Sequence, residues 1–219
     1  VWAWGANESG QVGDNTTALR VWLPVQVKNN DGIGFLNNVN SVVAGASHSL
    51  ALKNDGTVWA WGKNANGQIG DGTTSDRYLP TQIKDSTGTN YLSSISQISA
   101  SGIHSLALNN NGAMLAWGLN SNGQLGQNTT TQLSLPAYVK DNIGSNNLSD
   151  ITSITAGVAQ SFAVNSNGLT YGWGVNSGAS YTSTNSLVLY TGDGQTGYSE
   201  GIQNSNKLLP SEILANFTA

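Results

Sequence analysis

One pattern, W-A-W-G-x-N-x-x-G-Q-x-G, sets what this chain can fold into, because it returns at nearly constant spacing. It occupies residues 2–13, returns as WAWGKNANGQIG at 59–70 and returns again as LAWGLNSNGQLG at 115–126. A fourth copy starts at Tyr171-Gly172-Trp173-Gly174-Val175-Asn176 and then breaks off. Its second aromatic falls at Trp4, Trp61, Trp117 and Trp173, in steps of 57, 56 and 56. Pro24, Pro80 and Pro136 keep the same step of 56, and Pro210 follows after 74. The segment Ser47–Leu52, SHSLAL, recurs as IHSLAL from Ile103 and as AQSFAV from Ala159, again 56 apart. Three markers on one period predict a stacked array of equivalent units, none able to bury its apolar face alone.

Each unit reads as short strands. In the second, Val39–Ala44 ends at Gly45 and Ser47–Lys53 is apolar. Asp55-Gly56 supplies a tight hairpin turn, Val58–Gly62 returns, and a polar loop leads to Leu79–Lys84. Pro80 near the start of that last strand predicts a sheet edge, since proline cannot donate to a ladder. Leu50, Leu52, Trp59 and Trp61 alternate with Ala51 and Ala60. Large residues on one face and small ones on the other let sheets stack closely. No helical periodicity of useful length occurs. Four strands per unit, repeated, predict an all-β chain: a β-propeller of four-stranded antiparallel blades. The units are a half blade at 1–28 and blades at 39–84, 95–140 and 151–214, the last with an insertion at 177–193.

The residues W-A-W-G-x-N-x-x-G-Q-x-G followed by Asp71-Gly72-Thr73-Thr74, the Pro-x-x-Val/Ile strand and A-G-x-x-H-S-L-A-L-x-x-D-G resemble the repeat of the regulator of chromosome condensation family. The match spans nearly the whole chain outside 177–205. The resemblance implies a seven-bladed propeller, of which this chain supplies about three and a half blades. It is therefore expected to be part of a longer chain or of an assembly. The compact W-A-W-G and G-D-G-T-T forms resemble bacterial members more than the nuclear one.

Composition narrows the function. Charged residues are only 9% of the chain, against the usual quarter. The net charge is −4, and the eight basic residues are scattered. Phosphate neutralisation, and with it nucleic-acid binding, is not expected. No apolar run reaches the length of a membrane span, so no membrane insertion is expected. The absence of cysteine excludes thiolate metal sites, cysteine nucleophiles and disulfides. No P-loop, G-x-S-x-G or metal-spaced cluster is present, so neither catalysis nor a cofactor is expected. His48 and His104 share a repeat position that Gln160 fills in the third copy, which suits a side chain bridging adjacent backbones rather than a catalyst. Asp14 and Asp71 share a position with Gln127, which suits a turn cap; Asp71–Asp76 lacks the spacing of a calcium loop. Sequons at Asn7, Asn15, Asn128, Asn147 and Asn216 are what so Asn-rich a chain carries by accident.

What could be specific to this protein lies where the pattern fails. In the fourth unit Gly194-Gln195-Thr196-Gly197 stands for G-Q-x-G, 15 residues later than the period demands. The added stretch holds Tyr181, Leu187, Leu189 and Tyr190, too apolar for a linker. It is either a protruding contact hairpin or an insertion packed on its own blade. Trp22 is the one tryptophan outside the repeated pattern; Tyr78 and Ser134 hold its position in later units, and Trp22 and Tyr78 are candidate partner contacts. The expected function is a non-catalytic structural or binding module for a protein or glycan, on a cell, filament or viral surface or secreted. The alternative, implied by the resemblance, is a regulator of a small GTPase of the guanine-nucleotide exchange type, although no basic arm is present.

Overall fold

The computed structural model describes residues 1–175 and 206–213. The insertion, with Tyr181, Leu187, Leu189 and Tyr190, lies outside the described residues. Within them every regular element is a strand.

The half blade pairs β1 (Trp2–Ala6) with β2 (Arg20–Gln26). The next blade is β3 (Val39–Ala44), β4 (His48–Lys53), β5 (Val58–Gly62) and β6 (Arg77–Gln82). It is followed by β7 (Ile95–Ala100), β8 (His104–Asn109), β9 (Met114–Gly118) and β10 (Leu133–Tyr138). The last is β11 (Ile151–Ala156), β12 (Gln160–Asn165), β13 (Thr170–Gly174) and β14 (Lys207–Glu212). Each full blade is an antiparallel meander in chain order. The Pro-bearing strand lies at a sheet edge in every one, as its missing N–H requires.

Local chemistry makes the hairpins. Asp55 Oδ1 accepts from the N–H and hydroxyl of Thr57 at 3.0 and 2.6 Å, and Gly56 N donates to Lys53 O. Those bonds lock the β4–β5 turn and set the register His48↔Gly62, Leu50↔Ala60, Leu52↔Val58.

The core lies between the blades. Leu50, Leu52, Val58 and Ile83 of one sheet meet Ala107, Leu115 and Trp117 of the next. One blade later Leu106, Leu108, Met114 and Val139 meet Ala163 and Trp173. The faces are not divided into large and small as the sequence suggested: Ala60 pairs with Leu50 on one face and Trp61 lies with Ala51 on the other, so each face sets the large residues of one strand beside the small ones of the next. Where two blades meet, strand ends and loops rather than faces reach solvent, whereas the half blade exposes Trp2, Trp4 and Trp22.

Candidate functional site

The repeated residues form a hydrogen-bonded frame between blades. Trp61 Nε1 donates to the carbonyl of Gln11 in the preceding unit at 2.9 Å. Trp117 does the same to Gln68, and Trp173 to Gln124, each at 2.9 Å. Each glutamine carbonyl also accepts a serine hydroxyl of the next blade: Ser49 on Gln11, Ser105 on Gln68 and Ser161 on Gln124. The glutamine side chain holds that turn in shape. Gln68 Oε1 accepts Asn66 N, and Gln11 and Gln124 repeat the bond.

The histidines extend the frame. His48 Nε2 lies 2.9 Å from Ser105 Oγ, and His104 Nε2 lies 2.9 Å from Ser161 Oγ. Each serine has one proton and commits it to a glutamine carbonyl. The imidazole must therefore be the donor, so Nε2 carries the hydrogen and Nδ1 is left a bare acceptor. Nδ1 of both rings is buried without a partner. Burial pushes both histidines down to about 4. They are neutral structural donors linking blades. The expectation of a bridging role is met, with a serine hydroxyl as the partner rather than backbone.

The asparagine of the pattern is equally structural. Asn64 is fully buried; its amide nitrogen donates to Thr73 O and Ser75 O, each at 3.0 Å, and its oxygen accepts Ile69 N. Asn7 and Asn120 repeat the arrangement. Burial withdraws the Asn7 sequon from any modifying enzyme in the folded state. Asp71 caps its loop: it accepts Thr73 N and Oγ1 and pairs with Arg77. Burial alone would raise its pKa, but the Thr73 bonds and the Arg77 guanidinium outweigh it and hold the carboxyl below the ordinary range. No group of three or more metal-ligating side chains occurs among the described residues.

The features that reach solvent are loops that vary on a fixed frame. After the first three Pro-bearing strands a short loop returns to an isolated bridge: Lys28↔Phe35, Lys84↔Tyr91 and Lys140↔Asn147. Its neck is closed by Asn29 N→Gly34 O, Asp85 N→Asn90 O and Asp141 N→Asn146 O. Phe35 and Tyr91 are about half exposed, and a lysine ammonium lies over each ring, at 4.8 and 4.2 Å. Ile33 is 85% and Ile143 72% exposed. The sequence reading passed over these loops. Their signal was Lys28, Lys84 and Lys140 on the period, each followed seven residues later by Phe35, Tyr91 or Asn147.

Trp22 and Tyr78 hold the same place in successive units but not the same surroundings. Tyr78 lies against Gly10 of the preceding turn, as Ser134 does against Gly67 and Leu208 against Gly123. Trp22, first in the series, is 78% exposed beside Arg20, whose guanidinium is 5.7 Å from its ring. Trp4 is likewise 63% exposed, whereas Trp61 is 2% exposed. Trp61, Trp117 and Trp173 are each covered by the turn of the unit before, whose carbonyl they bond.

Comparison with known proteins agrees with this frame. The regulator of chromosome condensation (RCC1) repeat matches residues 1–52, 55–108 and 111–164. The ultraviolet-B receptor UVR8 of Arabidopsis thaliana is 34% identical over 175 residues, covering 80% of this chain and 37% of that protein. The human probable E3 ubiquitin-protein ligase HERC4 is 32% identical over 176 residues, covering 80% of this chain and 16% of that one. The chain thus spans well under half the length of these relatives. Yeast RCC1 (Prp20), solved bound to Kap60, superposes with a TM-score of 0.72 at 21% identity over 98% of this chain and 44% of that one. Human WBSCR16 gives 0.69 at 22% identity over 97% and 46%. A repeat match over three successive units, on a frame whose recurring asparagine, glutamine and serine each make a structural bond, places this chain in the regulator of chromosome condensation (RCC1) repeat family, as about three and a half blades of a β-propeller.

Proposed function

We infer that this propeller segment is a non-catalytic platform that binds a protein through loops which change from blade to blade. One observation carries the reading. The recurring residues of the interblade frame, such as Trp61, Gln68 and His48, are buried, while exposed positions on an unchanged loop neck differ: Ile33, Thr89 and Ser145 at one place, Phe35, Tyr91 and Asn147 at another. Rigid scaffolds with variable loops are recognition devices. Half-exposed aromatics are suited to anchoring a partner. The yeast relative was solved bound to another protein, which supports the mode but not a particular partner. A glycan is a second occupant that the half-exposed Phe35 and Tyr91 rings and the Asn-rich loops would suit. The low charge and Asn-, Ser- and Thr-rich loops favour a secreted setting or a cell, filament or viral surface.

The test is a variant with Phe35→Ser, Tyr91→Ser, Ile33→Ser and Ile143→Ser together, compared with the parent for partner capture. Loss of a protein captured by the parent, with an unchanged circular dichroism spectrum, supports the reading. Undiminished capture overturns the placement. Stimulated nucleotide release from a small GTPase would instead establish the exchange-type regulator.

A further inference from the structure

A pocket between the 28–37 loop and the β4–β5 hairpin departs from its repeat counterparts in residues that select a ligand. It holds about 150 Å³ and is lined by Phe35, Lys53 and Trp59 together with Asn29, Asn30 and Asn37. No carboxylate lines it. Two of these positions change charge. Asn29 stands where Asp85 and Asp141 stand in later units, and Lys53 where Asn109 and Asn165 stand. The first exchange removes a negative charge and the second adds a positive one. Trp59 takes the place of Leu115 and Tyr171, and the Lys53 ammonium lies 5.3 Å from its ring, which holds the charge at the pocket. The acids of the flanking turns are engaged locally: Asp55 with Thr57, and Asp31 with Ile33 N and Gly34 N. Lys53 makes no salt bridge among the described residues. Tyr91, in a unit with all four strands, is 53% exposed against 47% for Phe35, so an open aromatic at this loop is a property of the repeat.

Size and polarity narrow the occupant. A volume well under the roughly 300 Å³ where drug-sized ligands begin admits one ring or one side chain. An aspartate or glutamate side chain would pair with Lys53, but it only accepts hydrogen bonds and offers nothing to three asparagine carbonyls. Asn29 Oδ1 is already buried with no donor. A sugar hydroxyl gives and takes hydrogen bonds, as each asparagine amide does. Sugar C–H groups suit the negative face of an aromatic ring. We propose that this pocket binds one uronic acid residue of an acidic glycan. Its carboxylate pairs with Lys53 Nζ, its ring packs on Trp59 and Phe35, and its hydroxyls bond the amides of Asn29, Asn30 and Asn37. The site does not rest on the protein-binding reading, and Lys53 and Trp59 lie outside the loops which that reading uses.

Methyl glucuronide, methyl glucoside and N-acetylglutamate methylamide are each titrated into the 219-residue chain, with the backbone amides of 29–37 and the Trp59 indole N–H followed by NMR. Saturable shifts confined to these groups are expected with the glucuronide, at about fivefold higher affinity than with the glucoside, the worth of one partly exposed ion pair. Lys53→Asn, which installs the residue of later units, should abolish that preference and leave glucoside binding unchanged. Trp59→Leu should weaken both sugars alike. Circular dichroism checks that each variant is folded. The proposal is overturned if the amides of 29–37 show no saturable shift up to about 50 mM glucuronide, well beyond a weak millimolar site. Equal affinity for the two sugars, or a preference that survives Lys53→Asn, overturns it too. Tighter binding of the glutamate derivative does so as well, and makes the pocket an anchor for an acidic protein segment.

Discussion

His48 of one blade donates from Nε2 to Ser105 of the next, and the same hydroxyl passes its proton to the Gln68 carbonyl. Protonating the ring would leave that bond but put a charge and an extra donor on Nδ1, which is buried without a partner. In the folded chain its pKa falls to about 4, and so does that of His104, with burial the main cause. Unfolded, both return to about 6.5. The neutral folded form is fully favoured above pH 6.5. Stability then declines as pH falls, because the unfolded chain takes up protons that the folded one refuses, until the folded rings titrate near 4. At about 1.4 kcal/mol per unit, each histidine accounts for a few kcal/mol. Urea midpoints measured from pH 7 to pH 4 should fall steeply. In His48→Gln with His104→Gln the slope over that window should nearly vanish, Gln160 being the natural precedent for this exchange. An unchanged slope would show the rings are not what titrates.

The tryptophans divide by what precedes them. Trp117→Phe removes the bond to Gln68 O inside a closed layer and leaves a small void. The expected loss is about 2 kcal/mol. Trp4→Phe changes the same repeat position where the ring stands mostly in solvent, and should stay within about 0.5 kcal/mol. Equal losses in thermal or urea unfolding would contradict the layer assignment.

Two glycines with φ of +80° separate backbone strain from crowding. At Gly70 an added Cβ would come within 2.7 Å of Trp117 Nε1; at Gly168 it would meet nothing within 4 Å. Gly168→Ala should cost about 1 kcal/mol from the left-handed backbone alone. Gly70→Ala adds overpacking and should cost about 3 kcal/mol. Similar values would mean that the turn can move away from the tryptophan.

Much of this was legible in the sequence because the physics is periodic. The step shared by Trp61, Trp117 and Trp173 gave the blade, and the alternation of Leu50, Ala51 and Leu52 gave its two faces. What the repetition could not reveal was the partner of each polar residue. A period shows that Asn64, Gln68 and His48 are required, not that Asn64 ties a loop, that Gln68 uses its carbonyl rather than its amide, or that His48 reaches a serine 57 positions away. The loops 28–36 and 84–92 were missed for the opposite reason. Their exposed residues differ from copy to copy, so attention to recurrence hid them and fell on Trp22 instead.

Asn64 carries the sharpest single-site prediction. Its amide nitrogen faces the carbonyls of Thr73 and Ser75 and also lies 3.4 Å from Asp71 Oδ1, while its oxygen takes Ile69 N. Asn64→Asp keeps the shape and the Ile69 bond but replaces the donor with a second carboxylate oxygen. Three acceptors would then face a buried negative charge. The protein must either leave it unpaired or protonate it, and each route costs about 3 kcal/mol or more. Asn64→Ala loses the Ile69 bond as well but adds no buried charge, so it should be the milder change at pH 7. The order should narrow as pH drops and the new carboxyl takes up a proton, which can then donate to Thr73 O. Urea unfolding of the two variants at pH 7 and pH 5 reads this directly. A gap that does not shrink would show that the loop opens and lets water reach the charge.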